Sequence, residues 1–312
     1  MVNFREFSYP SSDGLHQVHA ALWTPAERAP RGVVQLVHGI SEYIGRYDDF
    51  ARFLAEAGFV VCGHDHLGHG KTAGGPDEYG FLGEKDGWEH LAWDVLALRS
   101  RMDAQFPGLP YCLMGHSMGS FVARTYLIRW PGTVDMAILS GTGQESAPLI
   151  AFGKWAASLV CAVKGPNSRS GFITSLSLGA YNRQFKPNRT NADWISRDTA
   201  VVDAYVADPL CRFVPTVGMF RDMMGGLQFI GNPKNIANMD PHTPILLFSG
   251  DKDPVGSCGK GVKKVADAFR KAGVTDVTLT LYPDGRHEML NEVGREQVYE
   301  DVLHWLEEHL HR

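Results

Sequence analysis

Apolar and polar positions change their period repeatedly along this chain, from short continuous apolar runs to segments with helical spacing. Gly32 to Val37 is an apolar run of the length of one buried strand. Asp48 to Ala57 then carries its apolar residues three and four positions apart, and Gly58 provides a natural C-terminal stop for a helix. The pattern therefore predicts a strand followed by a helix.

The same two patterns recur through residues 1–141 and again after Thr243. They predict strands at Gly32–Val37, Phe59–Cys62, Tyr111–Met114, Val134–Leu139, Pro244–Ser249 and Val277–Leu281, and helices at Asp48–Ala57, Ser117–Arg129 and Val262–Lys271. Trp88, Leu91, Val95 and Leu98 mark one face of a further helix that stops near Pro107-Gly108, and Val298, Val302 and Trp305 line the final helix. The first residues are typical of a hairpin around Asp13-Gly14. Strands that alternate with helices predict an α/β fold, a mainly parallel sheet with helices on both faces.

The alternation breaks down between Gly141 and Thr243. Residues 142–242 contain irregular helical segments rich in Ser, Gly and Asn. An interruption of this length is too long for a loop, so we expect a helical cap inserted into a core domain made of residues 1–141 and 243–312. Met219 and Met223 lie in its Met- and Phe-rich run, which is expected either to line the substrate site or to form the cap's own core.

Composition and charge exclude some classes of protein. The chain has 312 residues, of which 44% are hydrophobic and 21% charged, and its formal charge of −5 argues against nucleic acid as a partner. No signal peptide is visible at the N-terminus, and the apolar run Trp155 to Val163 is far short of a membrane span. The cysteines are scattered and predict no disulfide framework, so we expect a cytoplasmic protein.

The sharpest chemical signal is the sequence Gly115-His116-Ser117-Met118-Gly119. It follows a predicted strand and precedes a predicted helix, which is the context of a nucleophile elbow. Ser117 is therefore the candidate nucleophile. The N–H of Met118, at the start of the helix, can point toward a developing oxyanion.

A nucleophilic serine needs a base and an acid, which in this type of fold follow it in the order acid, then histidine. His287 lies in the loop after the last predicted strand, whereas the other late histidines precede a strand or lie on the final helix. Asp253 follows the strand that ends at Gly250 and is the favoured acid. Asp251 is expected to form the turn, and Glu288, next to His287, is a weaker candidate for the acid.

The second oxyanion donor is expected after the early strand, at His38-Gly39-Ile40. We assign it to the N–H of Ile40, since Gly39 lets the backbone approach the substrate closely.

A competing pattern is His64-Asp65-His66-Leu67-Gly68-His69, which places three histidines and a carboxylate within one turn. Such a cluster is typical of a metal site. The alternative is that these side chains satisfy backbone groups in a tight turn. No further ligand group is evident elsewhere, so we expect no metal and no cofactor.

Together these motifs resemble the monoacylglycerol lipase and lysophospholipase branch of the α/β-hydrolases, a serine aminopeptidase-type group. The matching segments are His38 to Glu42 with Arg46-Tyr47, His64 to Gly70, Pro107 to Pro110, Gly115 to Gly119, Gly250 to Val255 and His287, with a fragment at Asp208 to Cys211. Two positions depart from the pattern. Tyr43 stands where the similar lipases have a histidine, and Ser120 replaces a glycine.

The resemblance implies a Ser117–Asp253–His287 triad, a helical cap, and oxyanion donors at Ile40 and Met118. It also implies that Glu42 and Arg46 shape the pocket or brace its loop. The expected function is a serine hydrolase that cleaves esters of single-chain lipids through an acyl-enzyme.

Two other functions stay open from the sequence. One is a carboxylesterase or peptidase of the same fold, and the other is a non-catalytic ligand-binding protein. The cap is a further candidate for transient contact with a membrane surface. The oligomeric state is left open.

Overall fold

A computed structural model describes residues 1–176 and 178–310. Within this part of the chain, eight strands form one sheet in the order β1-β2-β4-β3-β5-β6-β7-β8. The strands are β1 (Val2–Pro10), β2 (Gln17–Pro25), β3 (Val33–Val37), β4 (Val60–His64), β5 (Tyr111–His116), β6 (Met136–Ser140), β7 (Ile245–Gly250) and β8 (Val277–Tyr282). β2 pairs antiparallel with β1 and β4, and all other pairs are parallel.

The described helices flank this sheet or lie in the insertion between β6 and β7. They are α1 (Asp48–Glu56), α2 (Gly87–Gln105), α3 (Met118–Arg129), α4 (Ala147–Lys164), α5 (Gly171–Leu176), α6 (Leu178–Tyr181), α7 (Thr199–Ala207), α8 (Val217–Ile230), α9 (Pro233–Ile236), α10 (Lys260–Lys271) and α11 (Arg295–His309). The predicted α/β architecture is confirmed, with element ends shifted by a few residues.

Side chains of the central strands alternate between two apolar layers, as the two-residue period of a strand requires. On β5, Leu113 joins the layer that contains α2, α3, α8 and α10, whereas Cys112 and Met114 join the layer that contains α1 and α11. Each buried aliphatic side chain contributes about 1.5–3 kcal/mol. Because both faces are covered, the central strands are buried and mostly apolar, and the polar Gln35 within β3 donates a hydrogen bond to the carbonyl of Val95 at 3.0 Å.

The described residues between β6 and β7 contain helices and no strand. Helix α8 packs against α2 and α3, and α4 lies along α8. Thr216 caps α8 by accepting a hydrogen bond from the N–H of Met219 through its hydroxyl, at 3.2 Å. The insertion is thereby anchored on the sheet domain through α8.

Parallel strands place their carboxyl ends at one edge of the sheet. The loops that follow β3, β5, β7 and β8 therefore meet there, and they carry the candidate oxyanion loop, Ser117, Asp253 and His287 respectively. In open α/β sheets this edge is where ligands bind.

Candidate active site

Ser117 lies between β5 and α3 in a sharply turned backbone conformation, with φ 54° and ψ −123°. This left-handed region costs a non-glycine residue about 1–3 kcal/mol, so the surrounding structure has to impose it. The elbow also packs closely against the loop after β3, because a Cβ atom on Gly119 would lie 2.0 Å from the carbonyl oxygen of Val37. The elbow and the loop after β3 therefore fit together only when residue 119 has no side chain.

His287 and Asp253 form a buried pair beside Ser117. The Nδ1 of His287 donates to Oδ1 of Asp253 over 3.0 Å, and the two residues are 2% and 0% exposed. Asp253 also accepts hydrogen bonds from the Ser249 hydroxyl at 2.8 Å and from the N–H of Val255 at 2.9 Å. With its proton on Nδ1, the His287 ring keeps its lone pair on Nε2, the tautomer that a general base needs.

The sequence left other carboxylates open as partners of His287, and the structure gives them other contacts. Asp251 accepts a hydrogen bond from the N–H of Asp284 at 2.9 Å, as a turn-forming residue does. Glu288 contacts Arg46 through two hydrogen bonds of 2.7 Å and does not contact the ring of His287. Asp253 is the carboxylate on the His287 ring.

The two histidines of the site have different electrostatic surroundings. Burial acts to lower the pKa of His287, but Asp253, Glu288 and Glu42 favour the imidazolium and leave the pKa raised above its usual value. The ring centroid of His116 lies 4.8 Å from that of His287, and for His116 the charges of Glu288 and Asp253 do not outweigh burial. Burial, with the neighbouring His287, lowers the pKa of His116 to about 3. His116 is therefore neutral at pH 7, and of these two histidines only His287 has a pKa above its usual value.

The loop after β3 passes directly beside Ser117. A Cβ atom on Gly39 would lie 2.9 Å from the Cβ of Ser117, so only glycine fits there. Within the described chain, the N–H of Ile40 has no hydrogen-bond acceptor. Met118 is the first residue of α3, where helical N–H groups lack partners within the helix. Both predicted oxyanion donors therefore lie next to Ser117.

A buried network of charges flanks the pocket. Arg46 pairs with Glu288 and, over 3.1 Å, with Glu42, and its guanidinium lies 4.9 Å from the ring centroid of Tyr205. Glu42 also accepts from the Tyr47 hydroxyl at 2.9 Å. Burial raises the pKa of Glu42, and Glu288 adds to this effect. Burial also acts to raise the pKa of Glu288, but its two bonds to Arg46 outweigh burial and lower it.

One cavity contains Ser117 and His287, and several of its other residues were not identified from the sequence. It is lined also by Ile40, Glu42, His116, Trp194, Ile195, Tyr205 and Glu288. Trp194, Ile195 and Tyr205 belong to the insertion. Their nearest sequence signal is the fragment at Asp208, whose carboxylate accepts a hydrogen bond from Tyr43 at 2.9 Å.

The two methionines proposed for the substrate wall lie elsewhere. Met219 is 0% exposed and Met223 is 8% exposed, and both belong to the apolar core formed with α2 and α3. Neither lines the cavity at Ser117. They face the sheet domain because α8 is the helix that anchors the insertion. Both are therefore core residues, but of the apolar layer shared with the sheet domain and not of a separate core within the insertion.

The turn from His64 to His69 is buried below the loop after β3. Among residues 1–176 and 178–310, no group of three or more His, Cys, Asp or Glu side chains has the arrangement of a metal site. The side chains contact backbone groups: Asp65 accepts from the N–H groups of Ile44 and Lys71, each at 2.8 Å, and His69 interacts with the carbonyl of Leu67 at 2.9 Å.

Comparison with known proteins gives a family for this site. Residues 28–294 match the family model described as "Serine aminopeptidase, S33". The chain belongs to that family. Its fold is the α/β-hydrolase fold, and the chain is a serine hydrolase of carboxylic esters.

Several known proteins are similar to this chain over almost its whole length. A monoacylglycerol lipase of Mycolicibacterium smegmatis is 32% identical over 98% of both chains. The human monoglyceride lipase is 27% identical over 96% of this chain and 92% of its own. A thermostable carboxyl esterase from Bacillus coagulans, solved in complex with glycerol, superposes with a TM-score of 0.91 at 32% identity, covering 98% of this chain and 99% of that one.

Proposed function

We propose that Ser117, His287 and Asp253 cleave esters through an acyl-enzyme. The observation that supports this most is the hydrogen-bonded His287–Asp253 pair in the same cavity as a serine held in a left-handed elbow. The Oγ of Ser117 attacks the ester carbonyl carbon while its proton passes to Nε2 of His287. The N–H groups of Ile40 and Met118 stabilise the oxyanion, each contributing about 3–4 kcal/mol.

The second half of the reaction reverses these roles. As the tetrahedral intermediate collapses, the bond from the acyl carbon to the alkoxy oxygen breaks and His287 protonates the departing alcohol. Water then gives its proton to His287 and attacks the acyl carbon, which releases the acid and returns the proton to Ser117. Asp253 stays ionised throughout and stabilises the imidazolium.

We propose single-chain lipid esters, such as monoacylglycerols or lysophospholipids, as the substrates. The named relatives support this class. Ile40, Trp194 and Ile195 give the cavity an apolar side suited to an acyl chain, and Glu42 with Tyr205 gives it a polar side suited to an alcohol with free hydroxyls. Residues 142–242 then act as the cap, because they supply Trp194, Ile195 and Tyr205.

We propose that the cap contacts a lipid surface through α4. Its outward side chains are large and apolar, and they lie on one side at helical spacing: Leu149, Phe152, Trp155, Leu159 and Val163 are 54–77% exposed. Lys154 and Lys164 flank this face. An exposed apolar patch of this kind marks a site of membrane or protein contact.

Helix α4 extends beyond the apolar run Trp155 to Val163 and, contrary to the expectation from that run, is by length and composition long and apolar enough to cross a membrane, with 18 residues and a mean hydropathy of 1.3. Its packing on α8 argues for lying on the bilayer surface, because both ends of α4 connect to elements of the same folded unit. A spanning helix would have to leave α8 and separate β6 from β7. We propose a cytoplasmic location for the chain, supported by its free cysteine thiols.

The proposed function is tested by measuring hydrolysis of p-nitrophenyl esters from acetate to palmitate and of glycerol monoesters, with Ser117→Ala in parallel. We expect turnover to rise with chain length and to fall by about 10⁶ in the variant. Ser100→Ala, on the exposed face of α2, is the matched control and keeps wild-type turnover. Amino-acid anilides test the peptidase alternative. Full turnover by Ser117→Ala would overturn the proposed mechanism.

A further inference from the structure

Two side chains hydrogen-bond to the backbone of Gly39 in the oxyanion loop, residues 38–40. One bonds to its N–H and the other to its carbonyl oxygen. Oε1 of Glu42 accepts the N–H of Gly39 at 2.5 Å. Nδ1 of His38 lies 2.7 Å from the carbonyl oxygen of the same glycine. Since a carbonyl oxygen can only accept, Nδ1 of His38 carries the ring's proton in this contact.

The bond from His38 acts on the peptide group that supplies the oxyanion donor. The carbonyl of Gly39 and the N–H of Ile40 belong to the same planar amide, so fixing the carbonyl direction also fixes the direction of the N–H. A hydrogen bond accepted by an amide carbonyl also polarises the amide and strengthens its N–H as a donor, by about 10–30% per bond. His38 can thus orient and strengthen Ile40 without touching the substrate.

His66 selects the tautomer of His38 that can do this. Its backbone N–H donates to Nε2 of His38 at 3.0 Å, so Nε2 must carry the lone pair and Nδ1 the proton. Nε2 of His66 in turn lies 3.1 Å from the carbonyl oxygen of His38, which fixes the preceding peptide. Burial lowers the pKa of His38 to about 3, and nearby His69 acts in the same direction, so the ring stays neutral across the working pH range.

We propose that His38 is a positioning residue of the oxyanion hole and that residues 65–69, the turn that follows β4, hold it in place through His66. This inference rests on the proposed function, since it assigns Ile40 as an oxyanion donor. It also gives the histidine-rich turn a role that needs no metal, because the turn supports the oxyanion loop through the hydrogen bonds of His66. Asp65 in the same turn also accepts the N–H of Ile44, which follows the oxyanion loop by four residues.

His64 provides a matched control within the same cluster. It is 0% exposed, like His38, and its ring centroid lies 5.1 Å from that of His66. Neither ring nitrogen of His64 has a hydrogen-bond partner in the described part of the chain. Substituting His64 and His38 by leucine therefore makes similar changes in the core, but only the second removes a bond to the oxyanion loop.

The test measures kcat and KM for p-nitrophenyl butyrate and the inhibition constant of an alkyl trifluoromethyl ketone, whose adduct mimics the oxyanion. For His38→Leu we expect kcat to fall about 10- to 100-fold, less than the loss of a whole donor, with KM within about twofold. The affinity for the ketone should fall by a similar factor. His64→Leu should keep both values near wild type.

A conservative variant separates positioning from packing. In His38→Asn the side-chain amide nitrogen takes the place of Nδ1 and can still donate to Gly39, so it should recover most of the kcat lost in His38→Leu. If His38→Leu does not fold, His38→Gln serves instead, because its nitrogen takes the place of Nε2. Equal kcat losses in the Leu (or Gln) and Asn variants, or a wild-type kcat in His38→Leu, would overturn the inference.

The outcome for the wild type separates this inference from the proposed function. A wild type without ester turnover, or turnover that survives Ser117→Ala, overturns the proposed function and the inference with it. Serine-dependent turnover that is unaffected by His38→Leu overturns the inference alone.

Discussion

The indole of Trp194 packs on the imidazole of His287, with ring centroids 4.9 Å apart and planes at 37°. The neighbouring backbones also pair, since the N–H of Glu288 donates to the carbonyl of Ile195 at 2.7 Å. Trp194 is in the insertion and His287 follows β8, so the proposed cap and the proposed base share one packed contact. Movement of the cap at this point would alter the orientation of the base.

We therefore expect Trp194→Ala to lower kcat/KM for p-nitrophenyl butyrate by up to about tenfold, because an aromatic pair contributes about 0.5–1.5 kcal/mol beyond its buried area. Trp194→Phe should recover most of this loss. Trp93→Ala, which removes a surface tryptophan that is 47% exposed, is the control and should leave kcat/KM unchanged. Equal activity of Trp194→Ala and wild type would contradict a positioning role for this ring.

The raised pKa of His287 predicts the pH profile. The base acts only when neutral, so kcat/KM should fall as the pH drops through a value above the usual 6.5 of histidine. Glu288→Gln removes a negative charge that favours the imidazolium and leaves the positive charge of Arg46 less compensated. Both effects lower the pKa of His287, and the acid limb should move to lower pH. Glu296→Gln, on the surface, should not shift the limb, and a move to higher pH in Glu288→Gln would refute this assignment.

Arg46 should be important for stability as well as for the pocket. Arg46→Met leaves the buried carboxylates of Glu42 and Glu288 without their cation, which we expect to cost about 3–5 kcal/mol in the free energy of unfolding. Arg52→Met, which breaks an exposed pair with Asp48, should cost less than about 1 kcal/mol. Urea unfolding at pH 7 compares the two variants.

The pH dependence of this difference has a definite sign. Arg46 lowers the pKa of Glu288 in the folded wild type, so the stability that it provides is present above the usual glutamate pKa of 4.5 and is lost as the pH falls through the lowered value. The gap between wild type and Arg46→Met should therefore be largest near neutral pH and shrink in acid. A gap that grows on acidification would mean that Arg46 does not stabilise the ionised carboxylate.

The apolar face of α4 predicts binding to lipid vesicles. Changing Phe152, Trp155 and Leu159 to serine should weaken partitioning onto phosphatidylcholine–phosphatidylglycerol vesicles by about 100-fold or more, given the apolar area removed. Turnover of p-nitrophenyl butyrate in solution should stay unchanged. Leu15→Ser with Val293→Ser removes exposed apolar side chains elsewhere and is the control. Vesicle binding that survives the α4 changes would place the membrane contact on another surface.

The spacing of apolar residues was sufficient to predict the α/β fold and the order of strands and helices along the chain. The central strands are mostly apolar because both faces of the sheet are covered there. The helices that pack on the sheet carry apolar residues every three or four positions, so both patterns are local in the sequence. The nucleophile elbow was equally accessible, since Ser117 and the glycine that its turn requires lie two residues apart. His287 could be proposed because it lies in a loop after the last strand.

Other parts of the site depend on contacts between residues far apart in sequence. Trp194 and Tyr205 line the cavity only because the helices of the insertion fold back over the sheet edge, and no local pattern encodes that packing. For the same reason the sequence could not assign Met219 and Met223 to the cavity or to the core. An apolar stripe on α8 is compatible with both, and its packing against α2 and α3 is known only from the structure. Glu288 is bonded to Arg46, 242 residues earlier in the chain, and only the tertiary structure brings that cation to it.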